Sequence, residues 1–303
     1  MLSICIPVYN FNIISLVNEL YIQSVNLYVP FEIIIIDDAS KEEFKQQNSS
    51  LKSNNYLTYV ELDKNLGRSK IRNLFLKYAR YEYLLFMDCD SMTTNRDYLK
   101  NYIDACTGDS IICGGRKYET NRPDDNHYLR WLYGIKRESA PASVRSEKPN
   151  QSFMTNNFLI SKSLLSSISF DETLYGYGHE DTVYGYQLKA HYIPIKHIEN
   201  PLIHLGLEDK DEYIAKTDEG LRNLFRLYTR FKKNPAFVND IKLLRYYRFL
   251  RKLQIIRILS WYFFFLKRYL LINIRSPMPS LFIFDLYKLG YFCKISIHER
   301  KNK

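Results

Sequence analysis

Tyr83-Leu-Leu-Phe-Met-Asp88-Cys-Asp90-Ser91 is the stretch from which the rest of the chain can be read. A short apolar run that ends abruptly in carboxylates reads as a buried strand. In a mostly parallel α/β sheet, helices cover both faces and ligands collect beyond the carboxyl ends of the strands. Asp88 and Asp90 are two residues apart, so an extended backbone sets both side chains on one face. Two hard carboxylates at that spacing suit Mg2+ or Mn2+, which complete their shells with water and substrate phosphates. Asp-x-Asp is also the string of a solvated loop, so its surroundings must decide.

Working outward, residues 2–8 are apolar and β-branched and end at Pro7-Val8-Tyr9-Asn10, a strand followed by a turn. Residues 13–25 place Ile14, Val17 and Leu20-Tyr21 at helical spacing. Phe31-Glu-Ile-Ile-Ile-Ile36 then runs into Asp37-Asp38-Ala39-Ser40, and four consecutive isoleucines mark a strand buried on both faces. Residues 41–51 are expected as a surface helix and 57–62 as a third strand. Asn65-Leu-Gly67-Arg-Ser-Lys-Ile-Arg72-Asn73 opens a helix whose apolar face is Ile71, Leu74-Phe75 and Tyr78. A helix over 97–106 and a strand over 110–113 follow. Alternating strands and helices across the first 115 residues predict right-handed βαβ units and a parallel sheet. Two strand ends, Asp37-Asp38 and Asp88-Cys-Asp90, therefore present carboxylates to one rim. That is a nucleotide-binding pattern, yet there is no Gly-x-Gly-x-x-Gly or Walker loop, which argues against a dinucleotide dehydrogenase or a P-loop NTPase.

Residues 117–151 lack periodicity apart from an aromatic segment at 128–133 and are expected to form a long functional loop or lid. Order returns around Asn156-Asn157. The second informative stretch is Phe170-Asp-Glu-Thr-Leu-Tyr175-Gly-Tyr177-Gly178-His179-Glu180-Asp181, where two glycines flank an aromatic residue before a helix begins. Acids in a first helical turn are favoured by the helix dipole, so capping accounts for Glu180 and Asp181 as well as a general base does. His179 and His191 read as surface or packing residues. His204 ends a short apolar run, where a lone histidine is either a satisfied core residue or a ligand.

With 303 residues and 46% hydrophobic content, the chain can bury a full core and hold one large domain or two unequal ones. The formal net charge of +10 is concentrated: residues 241–284 contain no Asp or Glu and nine Lys or Arg. Such asymmetry points to a local anionic partner. Five scattered cysteines with no Cys-x-x-Cys pair argue against a disulfide framework or a structural zinc and fit a reducing compartment. No secretory signal is visible at the start of the sequence.

Taken in order over roughly residues 2–207, these motifs resemble family-2 glycosyltransferases of the GT-A fold. Ser3-Ile-Cys-Ile-Pro7-Val-Tyr9-Asn10 is similar to the family's opening strand and Ile36-Asp37-Asp38-Ala-Ser40 to its nucleotide-base motif. Asn65-Leu-Gly67 with Arg72-Asn73 resembles the element behind the donor site, and Asp88-Cys-Asp90 the metal-binding Asp-x-Asp. Tyr175-Gly-Tyr-Gly-His-Glu180-Asp181 resembles the Gly-Trp-Gly-x-Glu-Asp motif of the galactosyl- and N-acetylgalactosaminyl-transferring branch, which includes chondroitin-polymerase-like domains. Each motif is weak alone; five in register specify the family.

The resemblance implies an α/β fold of the GT-A type, Rossmann-like, with a mostly parallel central sheet, helices on both faces and a C-terminal helical extension. It implies a catalytic domain over 1–211, divided into a nucleotide-binding half (1–115) and an acceptor half (116–211), followed by the extension over 212–303. The implied reaction moves a sugar from a nucleotide sugar, a UDP-hexose or UDP-N-acetylhexosamine, to a glycan hydroxyl with inversion. Pro7, Tyr9, Asp38, Arg72 and Asp88 would bind the nucleotide. Asp90, Asp88 and His204 would hold Mn2+ or Mg2+. Asp181 would be the catalytic base, and Asn156, Asn157, Tyr177, Gly178 and Glu180 would line the acceptor or donor sugar. Tyr177 stands where the family motif has Trp, which bears on sugar stacking. The Gln-x-x-Arg-Trp of processive relatives is missing, and His127-Tyr-Leu-Arg130-Trp131 lies before the Glu-Asp motif, so one sugar per encounter is expected.

Beyond about residue 211 the pattern is helical. Leu243, Tyr246-Tyr247, Leu250 and Leu253 share a face opposite several arginines, and residues 255–274 pack aromatics beside Arg257, Lys267 and Arg268. Those charges argue against a spanning helix and for one lying in an anionic membrane interface through 241–284. Packing of the same aromatics on the catalytic domain is the other reading. The expected setting is cytoplasmic, peripheral on the inner face of the cell membrane, with a lipid-linked acceptor in bacterial surface polysaccharide synthesis. Two other classes stay open on residues alone: a sugar-phosphate nucleotidyltransferase, and a catalytically silent glycan- or nucleic-acid-binding protein. The rim carboxylates would repel a phosphate backbone, so no nucleic acid partner is expected.

Overall fold

The computed structural model describes residues 1–53, 56–108, 110–174 and 176–301. Two compact units are present, and neither is continuous in the chain: 1–119, 137–174 and 180–206 form the first, and 120–136, 175–179 and 207–303 the second.

The first unit is a seven-stranded, mostly parallel sheet. In chain order it contains β1 (Leu2–Val8), α1 (Ile14–Val25), β2 (Phe31–Asp37), α2 (Glu42–Gln47), β3 (Leu57–Glu61), α3 (Arg68–Tyr78), β4 (Tyr83–Met87), β5 (Ser91–Thr93), α4 (Tyr98–Ala105), β6 (Ile111–Cys113) and β7 (Arg116–Lys117). The order of the large sheet is β3-β2-β1-β4, then β8 (Asn157–Ser161), β6 and β9 (Ile195–His197), with β8 antiparallel to both neighbours. The isoleucine run explains itself in this setting. Ile33 and Ile35 point into the core built with Leu16, Val17 and Leu20 of α1, while Ile34 and Ile36 point into the opposite core with Ile71 and Phe75 of α3. A strand covered on both sides needs apolar side chains in both phases of its period-2 alternation. Phe86 of β4 stacks on Phe158 of β8 at 5.0 Å across the antiparallel β4–β8 join. A second sheet has the order β5-β10-β7, where β10 is Leu202–His204. It pairs His204 opposite Ser91 and Leu202 beside Arg116. The mostly parallel α/β fold expected from the sequence is the one observed.

The region 117–151, expected to form a long functional loop or lid, contains regular structure. It contains α5 (Tyr128–Tyr133), a π-helical turn (Gly134–Glu138) and α6 (Ala142–Glu147). Each of these pieces is only five or six residues long, too short to show a helical period in the sequence. Likewise, the helix expected over 41–51 is split into α2 and a 3-10 turn, Ser49–Ser53. Two helices complete the first unit, α7 (Lys162–Ser167) and α8 (Glu180–Ala190).

The second unit is helical: α5 with α9 (Lys210–Phe231), α10 (Pro235–Asp240), α11 (Lys242–Lys252), α12 (Ile256–Ile274) and α13 (Leu281–Lys301). Asp209 starts α9 by accepting from the backbone N–H groups of Asp211 and Glu212, a side-chain N-cap. Its core joins Leu129, Tyr213, Ile214, Phe263, Phe284 and Tyr287. Gly290 lets α12 and α13 approach closely, since a Cβ there would stand 2.3 Å from Phe263 Cδ2.

Candidate active site

At the carboxyl rim of the large sheet, the turns after β1 and β2 are knitted together. Asn10 N–H donates to Ser40 Oγ at 2.8 Å, and Asn10 Oδ1 accepts from Lys41 N–H at 2.9 Å. Pro7 lies inside β1, and Tyr9 projects from the turn with 54% of its surface exposed. Asp38 is buried, and its two carboxylate oxygens accept from the N–H groups of Leu66 (2.6 Å) and Gly67 (3.0 Å) just before α3. Burial raises the Asp38 carboxyl from its ordinary value, against the lowering by those two N–H groups. Each oxygen keeps a second lone pair, so a further donor can still be accommodated.

Arg72 is buried on α3, and its Nη2 donates to Asp88 Oδ1 at 2.9 Å. Arg116 Nη2 donates to Asp88 Oδ2 at 3.2 Å, and Arg116 Nη1 reaches Glu138 Oε2 at 3.3 Å. Asp88 is thus held between two guanidiniums. Nothing in the sequence pointed to Arg116 or Glu138: both come from segments without periodicity, and only the pairing of β7 with β10 brings Arg116 to the rim. Buried Arg145 steadies the chain leading into β7 by donating to the carbonyls of Cys113, Gly114 and Ile198.

Asp90 is arranged differently. Its Oδ1 lies 3.5 Å from His204 Nδ1, at the outer limit of hydrogen-bonding distance. Among the described residues, Asp90 Oδ1 and both ring nitrogens of His204 are buried without a hydrogen-bond partner. Burial alone would raise the Asp90 carboxyl, but His204 and then Arg116 and Arg68 outweigh it and bring it down to about 2. Leu205 N–H donates to the Asp90 carbonyl at 2.8 Å, and Tyr118 packs edge-on against the His204 ring. Buried polar atoms with no partner are costly. A divalent cation that accepts a carboxylate oxygen and an imidazole nitrogen satisfies both, so this pair fits Mn2+ well.

The two asparagines differ. Asn157 Oδ1 accepts from the hydroxyls of Tyr98 (2.6 Å) and Tyr102 (2.5 Å), and its Nδ2 donates to the carbonyls of Gly115 (2.8 Å) and Asn200 (2.9 Å). Its amide is fully used in holding the rim together. Asn156, next to it, is buried with both side-chain polar atoms unpaired among the described residues.

Glu180 opens α8 and is buried, with its Oε1 3.0 Å from Arg68 Nη1. Burial would raise its carboxyl, but Arg68 and Arg72 hold it below the usual range. Asp181 is partly buried, and its Oδ1 accepts from Thr182 N–H at 2.6 Å. Burial first, and then the charge of Glu180, raise its carboxyl to about 6. In the second unit, Tyr177 lies between Gly176 (φ +78°) and Gly178 (φ +90°), and its carbonyl accepts from Asn223 Nδ2 of α9 at 3.0 Å. Lys216 Nζ lies 5.7 Å from the Tyr177 ring centroid. Tyr175, quoted in the motif, lies outside the described residues.

Residues 3–168 match the family described as glycosyl transferase family 2, more than half of the chain. The chain belongs to that family. The chondroitin synthase of Pasteurella multocida (strain Pm70) is 26% identical over 223 residues, covering 62% of this chain and 23% of that protein. A hyaluronan synthase of Pasteurella multocida is 25% identical over 219 residues, 62% of this chain and 22% of that protein. The chain therefore spans less than a quarter of the length of these relatives. A mannosyltransferase from Pyrobaculum calidifontis, solved in complex with GDP-Man and Mn2+, aligns with a TM-score of 0.59 at 15% identity, covering 100% of this chain and 87% of that one. At that identity the likeness speaks for the fold, which is GT-A. The likeness to chondroitin-polymerase-like family-2 domains expected from the motifs is the one these relatives display.

Proposed function

We propose that this family-2 chain transfers a hexosyl or N-acetylhexosaminyl group from a UDP-sugar to a glycan hydroxyl, with inversion and one sugar per encounter. The observation that carries the reading is the Asp90–His204 pair, whose buried polar atoms have no hydrogen-bond partner among the described residues. Asp90 and His204 would hold Mn2+ or Mg2+. A cation there supplies charge neutralisation for a departing diphosphate. Pro7, Tyr9 and Asp38 would meet the base and Asp88 the ribose, a reading supported by the ion pairs that hold Asp88 at the rim with Arg72 and Arg116.

Asp181 acts as the base. Its carboxylate takes the proton of the acceptor hydroxyl while that oxygen bonds to the anomeric carbon. The anomeric carbon–phosphate oxygen bond breaks on the opposite side, and the nucleoside diphosphate leaves with the electron pair. A carboxyl at about 6 is ionised at neutral pH yet basic enough to accept a proton. Glu180 and Asn156, both in the first unit, serve the sugars. The basic, aromatic tail fits an anionic membrane surface on the cytoplasmic side, where a lipid-linked acceptor would stand.

Calorimetric titration of UDP with Mn2+ present, then with the metal chelated, and again on Asp90→Ala, tests the donor site. Binding that needs the metal and is lost in the variant supports it. Metal-independent binding, or none with UDP, dTDP or GDP, removes it.

A further inference from the structure

Helix α12 is apolar around most of its circumference but packs with only part of it. Ile256, Phe263 and Ile274 are buried, Phe263 against the α13 glycine Gly290. On the opposite side, Ile258, Trp261, Tyr262, Phe265, Tyr269 and Ile272 are each 53–69% exposed. At 3.6 residues per turn these six fall within an arc of about 100°. Six large apolar or aromatic side chains on one continuous arc make a contact surface; exposed residues scattered singly do not. Arg257 and Arg268 border one edge of the arc, and residues 241–284 contain nine cations and no anion.

We infer that this arc of α12 is a membrane-docking face that inserts its aromatic and aliphatic side chains among the acyl chains and headgroups of an anionic phospholipid surface. Trp and Tyr are suited to that depth because each has an apolar body and a polar tip. Arginine stems can lie along the apolar boundary while their guanidiniums meet phosphates. Charge decides between occupants: a second copy of the chain would bring this acid-free segment against its own like charges, whereas an anionic bilayer complements them. Insertion is interfacial, since among the described residues no helix is long and apolar enough to cross a membrane. The inference rests on the reading above for its purpose, bringing the enzyme to a lipid-linked acceptor. The face itself stands on the exposures.

The test uses the full chain carrying Trp131→Phe, which leaves Trp261 as the sole tryptophan. Its emission is followed on vesicles of phosphatidylcholine with and without phosphatidylglycerol, some bearing bromine-labelled acyl chains. A blue shift and bromine quenching on the anionic vesicles, weakened by high salt, are expected. In the unmutated background, Trp261→Glu with Phe265→Glu loses about tenfold or more in vesicle co-sedimentation, with circular dichroism unchanged. Equal sedimentation of both proteins overturns the inference, as does absence of binding. A dimer dissolved by the same pair of substitutions also overturns it, in favour of a second copy. UDP calorimetry on the same samples separates the two readings: a chain that binds UDP and no vesicle loses the docking face alone, and one that binds vesicles and no nucleotide loses the glycosyl-transfer reading alone.

Discussion

His204 Nδ1 stands 3.5 Å from Asp90 Oδ1, two buried polar atoms set side by side by the antiparallel pairing of β10 with β5. If a divalent cation completes the pair, His204→Ala weakens Mn2+-dependent UDP binding by about tenfold to a hundredfold, by analogy with lost metal-site partners. UDP titration at fixed Mn2+ checks it. Unchanged affinity would make His204 a packing residue against Tyr118.

If Asp181 is the base, its carboxyl governs the acid side of the pH profile. Its carboxyl is raised to about 6, and a base acts only when deprotonated, so turnover rises with pH up to about 6 and levels off above. Glu180→Gln removes the neighbouring negative charge that helps raise Asp181, so the acid limb moves to lower pH. Asp181→Asn lowers kcat by about 10²–10⁴ with UDP affinity unchanged. Initial rates across pH 4–9, with calorimetry alongside, decide.

Arg72 is a structural tie to Asp88. Arg72→Met leaves Asp88 with Arg116 alone, and because Asp88 keeps that partner the cost is about 2 kcal/mol, below the full penalty for an unpaired buried charge. Urea denaturation of the two proteins measures it. An unchanged midpoint would show that Arg116 alone suffices.

Asn223 of α9 donates to the Tyr177 carbonyl within the second unit. Asn223→Ala removes the hydrogen bond to Tyr177 and the one accepted from Arg226 Nη1, each worth about 1 kcal/mol, and leaves the Tyr177 turn less fixed. The expected kinetic effect is a higher KM for acceptor with little change in KM for the nucleotide sugar. A rise in the donor KM instead would assign Asn223 another role.

Gly290→Leu places a side chain where Phe263 already stands and pushes α12 from α13. Overpacking of this kind costs about 1–3 kcal/mol, visible as a lower midpoint in thermal unfolding. No change would mean that the two helices separate without loss.

The sequence alone was enough for the elements whose signals are local. Ile33–Ile36 required a strand covered on both faces, Asp88 and Asp90 marked the end of another, and Glu180-Asp181 marked the start of α8. Period-2 and helical patterns lie within a few residues, so burial is written directly into them. Tertiary structure decided which of those residues have work left to do. Asn156 and Asn157 read alike in the chain, yet one amide is saturated by Tyr98, Tyr102 and two carbonyls while the other has no partner among the described residues. Arg116 reached Asp88, and His204 reached Asp90, only through the register of a three-stranded sheet in which β10 joins two segments far earlier in the chain. Which side of α12 stays exposed was likewise set by its packing on α13, because an apolar pattern around a whole helix does not say which face finds a partner.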